Sequence, residues 1–433
     1  MDASDATSIH SERGPGGGLV AGLCRWFASD RDTRHWLAAE RAFLAGDVET
    51  ALRRYRRVQD HPVLAGKARL MDDWIRFQHG DYSTGWPRYP GAMFSAPVVP
   101  AGTFRADAHQ LQVADPRQPV ELGTQGGMRQ WDGREAPRGP LLVWFNFKNS
   151  LGGEILASRL VALLRRRCQA ALILACTARL AALLRATFPD CRIVDKAADL
   201  KPVAEVCDRY VLARDLLRLL VSSDADFARL ADERLVAPSI TGSRNRPVGD
   251  RPRIALSWKT TNGPQGRYRN IPLAELARVL AQHDVDWHVA QHGDVAADVS
   301  DLRRLAPGAA IVEGTLHPLG DMASFADELL QLDAVVTVDN TLLHLAGGFG
   351  IPTFALISTP AYWAWPSAGT ESRWYASVTL LRQSTPGGWG DVVAAVSRAL
   401  HDLFPPSRAG AAHCSDVEAV ADRTRNRTDR HPA

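Results

Sequence analysis

The stretch VVTVDNTLLHLAGGFGIPTFAL, residues 335–356, decides the fold. Its opening run of apolar residues is strand-sized and carries no polar alternation, which fits a strand covered on both faces. Asp339-Asn340-Thr341 follows at the point where the chain turns into a helix over 341–348, and a second apolar strand is predicted at 353–356. Strand, helix and strand with short connections make a right-handed parallel crossover. The first N–H groups of the helix, at Asn340, Thr341 and Leu342, lack partners inside it and carry partial positive charge. Such a turn can hold a phosphate or diphosphate. Asp339 would then accept hydrogen bonds from hydroxyl groups beside the phosphate. The competing reading is that Asp339 or Asn340 only caps the helix.

The same alternation extends outward in both directions. Strands are predicted at 141–145, 171–176, 254–258, 287–291 and 334–338, with helices at 155–167, 178–187, 273–282 and 323–330. A Pro- and Arg-rich break, SITGSRNRPVGDRPR, separates two such series. The pattern therefore predicts two Rossmann-like α/β domains, over 141–245 and 246–406, with ligands at the carboxyl ends of the strands and a cleft between the halves. Upstream, residues 19–94 read as helical. Trp36, Ala39, Phe43, Ala51, Leu52 and Tyr55 fall at helical spacing around a Gly46-Asp47 turn, and 66–89 repeats that rhythm. Helix–turn–helix units of this kind resemble tetratricopeptide repeats, and two of them make a small cap. Residues 95–140 read as an irregular linker or insertion ending at Trp131-Asp132-Gly133, while 1–18 and 407–433 read as disordered ends.

Two further loops hold candidate site residues. After the strand at 141–145 comes Lys148-Asn149-Ser150-Leu151-Gly152-Gly153-Glu154, a glycine-rich approach to a helix. It has neither the Gly-Lys-Ser/Thr ending of a phosphate loop nor a dinucleotide fingerprint. Glu154 reads either as a general base or as a carboxylate complementing the helix dipole. After the strand at 254–258 comes Trp258-Lys259-Thr260-Thr261-Asn262-Gly263, then Arg267-Tyr268-Arg269-Asn270. Cations there would neutralise a leaving diphosphate, or else belong to an ordinary solvated loop.

Composition narrows the classes. Of 433 residues, 45% are hydrophobic and 23% charged, which is globular rather than disordered composition. Lys plus Arg is 51 against 48 for Asp plus Glu, a formal net charge of +3, without the basic excess of a nucleic-acid binder. The cysteines, at 24, 168, 176, 191, 207 and 414, form no CxxC pair, and no cluster has zinc-ligand spacing. No apolar run reaches membrane-spanning length and the N-terminus is not that of a signal peptide, so a cytoplasmic protein is expected. Only five lysines occur, and two of them, Lys148 and Lys259, follow the opening strands of the two α/β series.

Several blocks in order resemble one family. They are Gly80-Asp81-Tyr82 with Gly85-Trp86, then Trp131-Asp132-Gly133, Ser150-Leu151-Gly152-Gly153-Glu154-Ile155 and Ser257-Trp258. Arg269-Asn270-Ile271-Pro272-Leu273, Val338-Asp339-Asn340-Thr341 through His344-Leu345-Ala346-Gly347, and the Trp363-Ala364-Trp365 and Arg373-Trp374-Tyr375 region complete the series. Together they resemble the bacterial tetratricopeptide-repeat glycosyltransferases related to the lipopolysaccharide (ADP-heptose) heptosyltransferases. The resemblance implies the glycosyltransferase B fold and an inverting, metal-independent transfer of a heptose or hexose-like sugar. A nucleotide-diphosphate sugar would serve as co-substrate, without a cofactor. By the same resemblance Asp339, Asn340, Thr341, Leu342 and Lys259 surround the donor's sugar and diphosphate; the family's base falls at position 153, and Glu154, one place along, is the candidate to replace it. Lys148, Asn149, Gly152, Gly153, Trp258, Arg267, His344 and Trp363 are supporting candidates. The chain departs from the family pattern at Gly153, where the family carries the acidic residue expected to act as base, and at Tyr362 and Ala364. These departures keep two alternatives open: a binding protein on this fold that has lost turnover, and a nucleotide-sugar epimerase. The acceptor, whether glycolipid, protein or secondary metabolite, is not read from these residues.

Overall fold

The computed structural model describes residues 31–61, 64–82, 128–145, 151–196, 199–230, 233–238, 250–260, 268–318 and 321–405. Lys148, Asn149, Ser150, Arg267, the Thr261-Asn262-Gly263 and Gly85-Trp86 segments, most of the 95–140 insertion and both expected disordered ends lie outside them. The chain divides into two compact units. One runs to Val236 and takes in Ser358–Ala376 and Ser384–Gly387; the other holds Ala237–Ile357, Ser377–Gln383 and the chain from Gly388. Residues 358–376 thus group with the first unit and not with the rest of the stretch 246–406.

The first unit opens with α1 (Arg31–Leu44), α2 (Val48–Arg56) and α3 (Ala65–Gln78). Gly46, at φ +80°, makes the turn between α1 and α2, a conformation that favours glycine. Asp47 caps α2 by accepting from the Thr50 N–H at 3.0 Å. Trp36, Ala39, Phe43, Ala51 and Tyr55 are buried, as their spacing predicts, and Trp36 meets Tyr55 at 5.3 Å between ring centroids. Then follow β1 (Arg129–Gln130), β2 (Leu141–Trp144), α4 (Leu151–Arg167), β3 (Leu172–Ala175), α5 (Ala178–Thr187), β4 (Arg192–Val194), α6 (Leu200–Val206), β5 (Arg209–Leu212), α7 (Asp215–Leu220) and α8 (Asp224–Ala228). The five strands form a parallel sheet in the order β1-β5-β2-β3-β4. Two expectations change here. The end of the 95–140 linker contributes β1, which pairs Arg129 with Arg209. And α4 starts at Leu151, so Gly152 and Gly153 belong to its first turn rather than to a loop.

The second unit runs β6 (Arg253–Ser257), α9 (Leu273–Leu280), β7 (Asp286–Val289), α10 (Ala296–Leu305), β8 (Ala310–Val312), α11 (Met322–Leu329), β9 (Ala334–Val338), α12 (Thr341–Phe349), β10 (Thr353–Ile357), β11 (Val378–Arg382) and α13 (Gly390–Leu403). Its six parallel strands lie in the order β11-β10-β9-β6-β7-β8. Read from β8, that is the doubly wound order 3-2-1-4-5-6, whose direction reverses between β6 and β9. On one sheet face Ile254, Leu256, Trp287, Val289, Val336, Val338, Phe354 and Leu356 pack with Leu276, Leu280, Leu302, Val392 and Leu400. The intervening residues point to the other face, the period-2 consequence of strand geometry. Gly350, at φ +76°, ends α12 in the left-handed conformation.

Candidate functional site

The reversal point of the second sheet brings together most of the residues singled out in that half. Ser257, the last residue of β6, stands opposite Thr337 of β9, so the turns that leave both strands at their carboxyl ends are neighbours. Asn340 caps α12: its Oδ1 accepts from the Leu342 N–H at 3.0 Å and from Thr337 Oγ1 at 3.1 Å. Its Nδ2 donates to Ser257 Oγ at 2.8 Å, across the reversal point. The capping role thus falls on Asn340, and the Leu342 N–H is spent on it. Thr341 is the first residue of the helix and half-buried.

Asp339, freed from capping, is buried at 4% exposure. Its Oδ2 has no hydrogen-bond partner among the described residues, but Arg269 Nη1 lies 3.4 Å from it, and both side chains are largely buried. A buried carboxylate needs such a counter-charge, because desolvation of an unpaired one is prohibitive. His344, one turn into α12, is also buried; burial is the main reason that its pKa falls to about 4, with Asp339 opposing and Arg269 assisting the shift. His344 is therefore a neutral imidazole beneath a carboxylate–guanidinium pair, where it packs as a helix residue.

The turn after β6 is held differently. Trp258 Nε1 and Lys259 Nζ both donate to Asp298 Oδ2, at 2.8 Å and 2.6 Å. Burial would raise the Asp298 carboxyl, but these two hydrogen bonds and the Lys259 charge outweigh it and hold the group below its ordinary range. Trp258 itself is 1% exposed and belongs to the core of the second unit. The Thr260 N–H donates to Asn270 Oδ1 at 2.8 Å, so the two ends of the 261–267 segment are tied together.

In the first unit, Glu154 sits in the opening turn of α4 and is 1% exposed. Thr177 Oγ1, from the turn after β3, donates to Glu154 Oε2 at 2.8 Å. Burial pushes the Glu154 carboxyl up to about 7, partly offset by hydrogen bonds from the Thr177 side chain and backbone. The adjacent Cys176 thiol is driven up to about 12, by burial first and then by the Glu154 and Asp195 charges, so it is not a thiolate. Trp363 belongs to the same unit but to a packing cluster: its ring meets Phe77 at 5.3 Å and Tyr362 at 5.4 Å, and Phe227 meets Trp374 at 4.9 Å. Trp365 is fully buried as well. These tryptophans anchor α3, whose Gln78 Nε2 donates to the carbonyls of Ala361 and Tyr362 at 3.0 Å and 3.1 Å.

Among the described residues no group of three or more His, Cys, Asp or Glu side chains is arranged to hold a metal ion. No helix among them is long and apolar enough to cross a membrane. Sequence reasoning placed Arg269 among the cations for a leaving diphosphate without foreseeing its pairing with Asp339, and it passed over Gln291, Asp298 and Thr177. For Gln291, Asp298 and Thr177 the partner is remote in sequence and carries no local motif.

No protein-family model matches the chain, and no curated protein matches it. Among solved structures, the ADP-heptose lipopolysaccharide heptosyltransferase II of E. coli is similar at 15% identity and a TM-score of 0.42, over 61% of this chain and 98% of that one. A family 9 glycosyltransferase of Veillonella parvula is similar at 12% identity and a TM-score of 0.43, over 62% and 98%. A mutant of the O-GlcNAc transferase of Thermobaculum terrenum is similar at 15% identity and a TM-score of 0.33, over 87% and 92%.

Proposed function

We propose that this chain is a glycosyltransferase of the glycosyltransferase B type, which moves a heptose or hexose-like sugar from a nucleotide-diphosphate donor to an acceptor hydroxyl, with inversion and without a metal. The observation that carries the reading is the Asp339 turn. A buried carboxylate oxygen lacking a hydrogen bond, a guanidinium and a neutrally capped helix N-terminus meet at the reversal point of a doubly wound sheet, where such folds take phosphorylated ligands. Asp339 would accept from sugar hydroxyls. The Arg269 guanidinium, which offsets the Asp339 charge at 3.4 Å, would also attract the diphosphate. Thr341 and the first-turn N–H groups of α12 other than that of Leu342, which Asn340 holds, would add to that cradle, with the Lys259–Asp298 pair flanking it.

In the transfer, the acceptor oxygen forms a bond to the anomeric carbon while the bond from that carbon to the diphosphate oxygen breaks. The diphosphate leaves with the electron pair, and the acceptor proton passes to Glu154. A carboxylate whose pKa is raised to about 7 is matched to taking up a proton near neutral pH. One observation favours the binding-protein alternative: Glu154 is nearly inaccessible and already bonded to Thr177.

The test is thermal-shift screening of the full chain against nucleoside-diphosphate sugars, followed by mass spectrometry of products with and without candidate acceptors. Stabilisation by at least one donor, abolished by Asp339→Ala, and acceptor-dependent product abolished by Glu154→Gln are expected. Binding without turnover selects the binding-protein alternative, and sugar isomerisation without acceptor selects the epimerase. No stabilisation by any donor refutes the donor site itself.

A further inference from the structure

Gln291 follows β7 at its carboxyl end, is 4% exposed and has no role in the transfer just described. Its Oε1 accepts from three donors: Ser257 Oγ at 2.8 Å, the Trp258 N–H at 3.0 Å and the Lys259 N–H at 2.9 Å. Its Nε2 donates to the His292 carbonyl at 3.2 Å. Ser257 Oγ accepts in turn from Asn340 Nδ2 at 2.8 Å, and Asn340 Oδ1 holds the Leu342 N–H at 3.0 Å. One buried amide therefore joins three segments that share no local sequence: the end of β7, the turn after β6 and the cap of α12.

We infer that Gln291 is a positioning residue for the nucleotide-diphosphate site. It fixes the Trp258-Lys259 turn and, through Ser257, keeps the Asn340 cap in register with that turn across the reversal point. The inference rests on the donor reading above. Because Gln291 consumes the N–H groups of Trp258 and Lys259, it acts by orienting the turn and not by leaving those donors to a ligand. The residue type is informative. A carbonyl oxygen has two lone pairs, so three donors oversubscribe it, and a carboxylate would serve them better. A carboxylate at this position would also place a negative charge beside an anionic ligand. Glutamine keeps the acceptor, supplies the N–H that the His292 carbonyl accepts at 3.2 Å, and adds no charge beside an anionic ligand.

The experiment is residue-resolved amide hydrogen exchange on the full chain, combined with calorimetric binding of ADP and UDP. Three variants are compared with wild type: Gln291→Leu, which removes the acceptor, Gln291→Asn, which withdraws it by one methylene, and Gln291→Glu, which keeps it. The Ala290 N–H, which donates to the Leu256 carbonyl at 2.9 Å, reports the strand end independently of Gln291. In the Leu variant the amides of Trp258, Lys259 and Leu342 are expected to exchange at least about tenfold faster while Ala290 is unchanged. The Asn variant gives the same readout should the Leu variant fail to fold. The Glu variant is expected to exchange like wild type but to bind the nucleoside diphosphate about tenfold more weakly, by repulsion. Unchanged exchange at Trp258 and Lys259, or equal acceleration at Ala290, overturns the inference. Absence of ADP and UDP binding to the wild-type chain instead counts against the donor reading, and the exchange data still decide whether Gln291 holds the turn.

Discussion

Replacing Glu154 by glutamine should stabilise the first unit progressively as pH rises from about 4.5 to 7, and fully above that window. In an unfolded chain this carboxyl titrates at 4.5; in the folded unit burial carries it to about 7. Between those values the folded state holds a proton that the unfolded state has released. Stability therefore falls as pH rises across this window, and is level on either side of it. The difference is about 2.5 pH units, which at 1.36 kcal/mol each amounts to about 3 kcal/mol. Glutamine has nearly the same volume, still accepts the Thr177 hydroxyl bonded at 2.8 Å, and does not titrate. Relative to wild type, Glu154→Gln should be near neutral at about pH 4.5 and more stable by about 3 kcal/mol above about pH 7.5. The measurement is denaturant unfolding of both proteins at a series of pH values. Using the difference between them cancels every other titrating group, including Asp215, whose carboxyl burial also raises. A difference that stays flat with pH would falsify the placement of an ionisable carboxyl in this buried turn. If transfer is lost in the variant that gains stability, the two effects have a common origin, since a desolvated base costs the fold what it contributes to the reaction.

Two further substitutions test the supports of the two units. Asn340→Ala removes the cap on Leu342 and the bond to Ser257, and should lower the stability of the second unit by about 1–2 kcal/mol in denaturant unfolding; no loss would mean that water replaces both contacts. Phe77 is 1% exposed and its ring meets Tyr82, Trp363 and Phe227 at 5.1, 5.3 and 6.2 Å. Phe77→Ala should cost about 3–5 kcal/mol by the same assay, through the cavity left among rings that cannot collapse.

How far the fold could be read from sequence depended on whether each element announced itself locally. β9, β10 and α5 do, through unbroken apolar runs or helical spacing, and their ends fall within a residue or so of the pattern. β4 and β8 are three-residue edge strands, none of the β8 residues is fully buried, and at that length neither an apolar run nor an alternation distinguishes a strand from a loop. The start of α4 was obscured by chemistry. Two successive glycines disfavour a helix by about 1 kcal/mol each, so the pattern placed them in a loop. In the structure both lie in the first turn, and Gly152 is buried. Residues 358–376 illustrate a different limit. They join the first unit through contacts such as the Ser367 N–H to the Gln78 carbonyl, 3.0 Å, between positions nearly three hundred residues apart. Arg159 does likewise: it is buried, donates to the carbonyls of Leu230 and Glu233, and lies 4.8 Å over the Tyr375 ring. No local pattern encodes such partners.

The site shows the same division within three residues. Asp339 and Asn340 are both good N-caps, and from sequence either could cap α12. The structure gives the cap to Asn340, and this settles more than a hydrogen bond. A capping carboxylate would have set a full negative charge against the positive end of the helix, stabilising the fold while cancelling the field that attracts an anion. A neutral amide satisfies the Leu342 N–H and leaves that field in place. Asp339 is then available one position earlier, where Arg269 offsets its charge at 3.4 Å and its Oδ2 keeps an unused acceptor. A turn that only needed to start a helix would be served by either residue alone. On the proposed reading, dividing the work, with the amide on the backbone and the carboxylate beside a guanidinium, would give a phosphate and sugar hydroxyls adjacent places, the pairing that a sugar nucleotide presents.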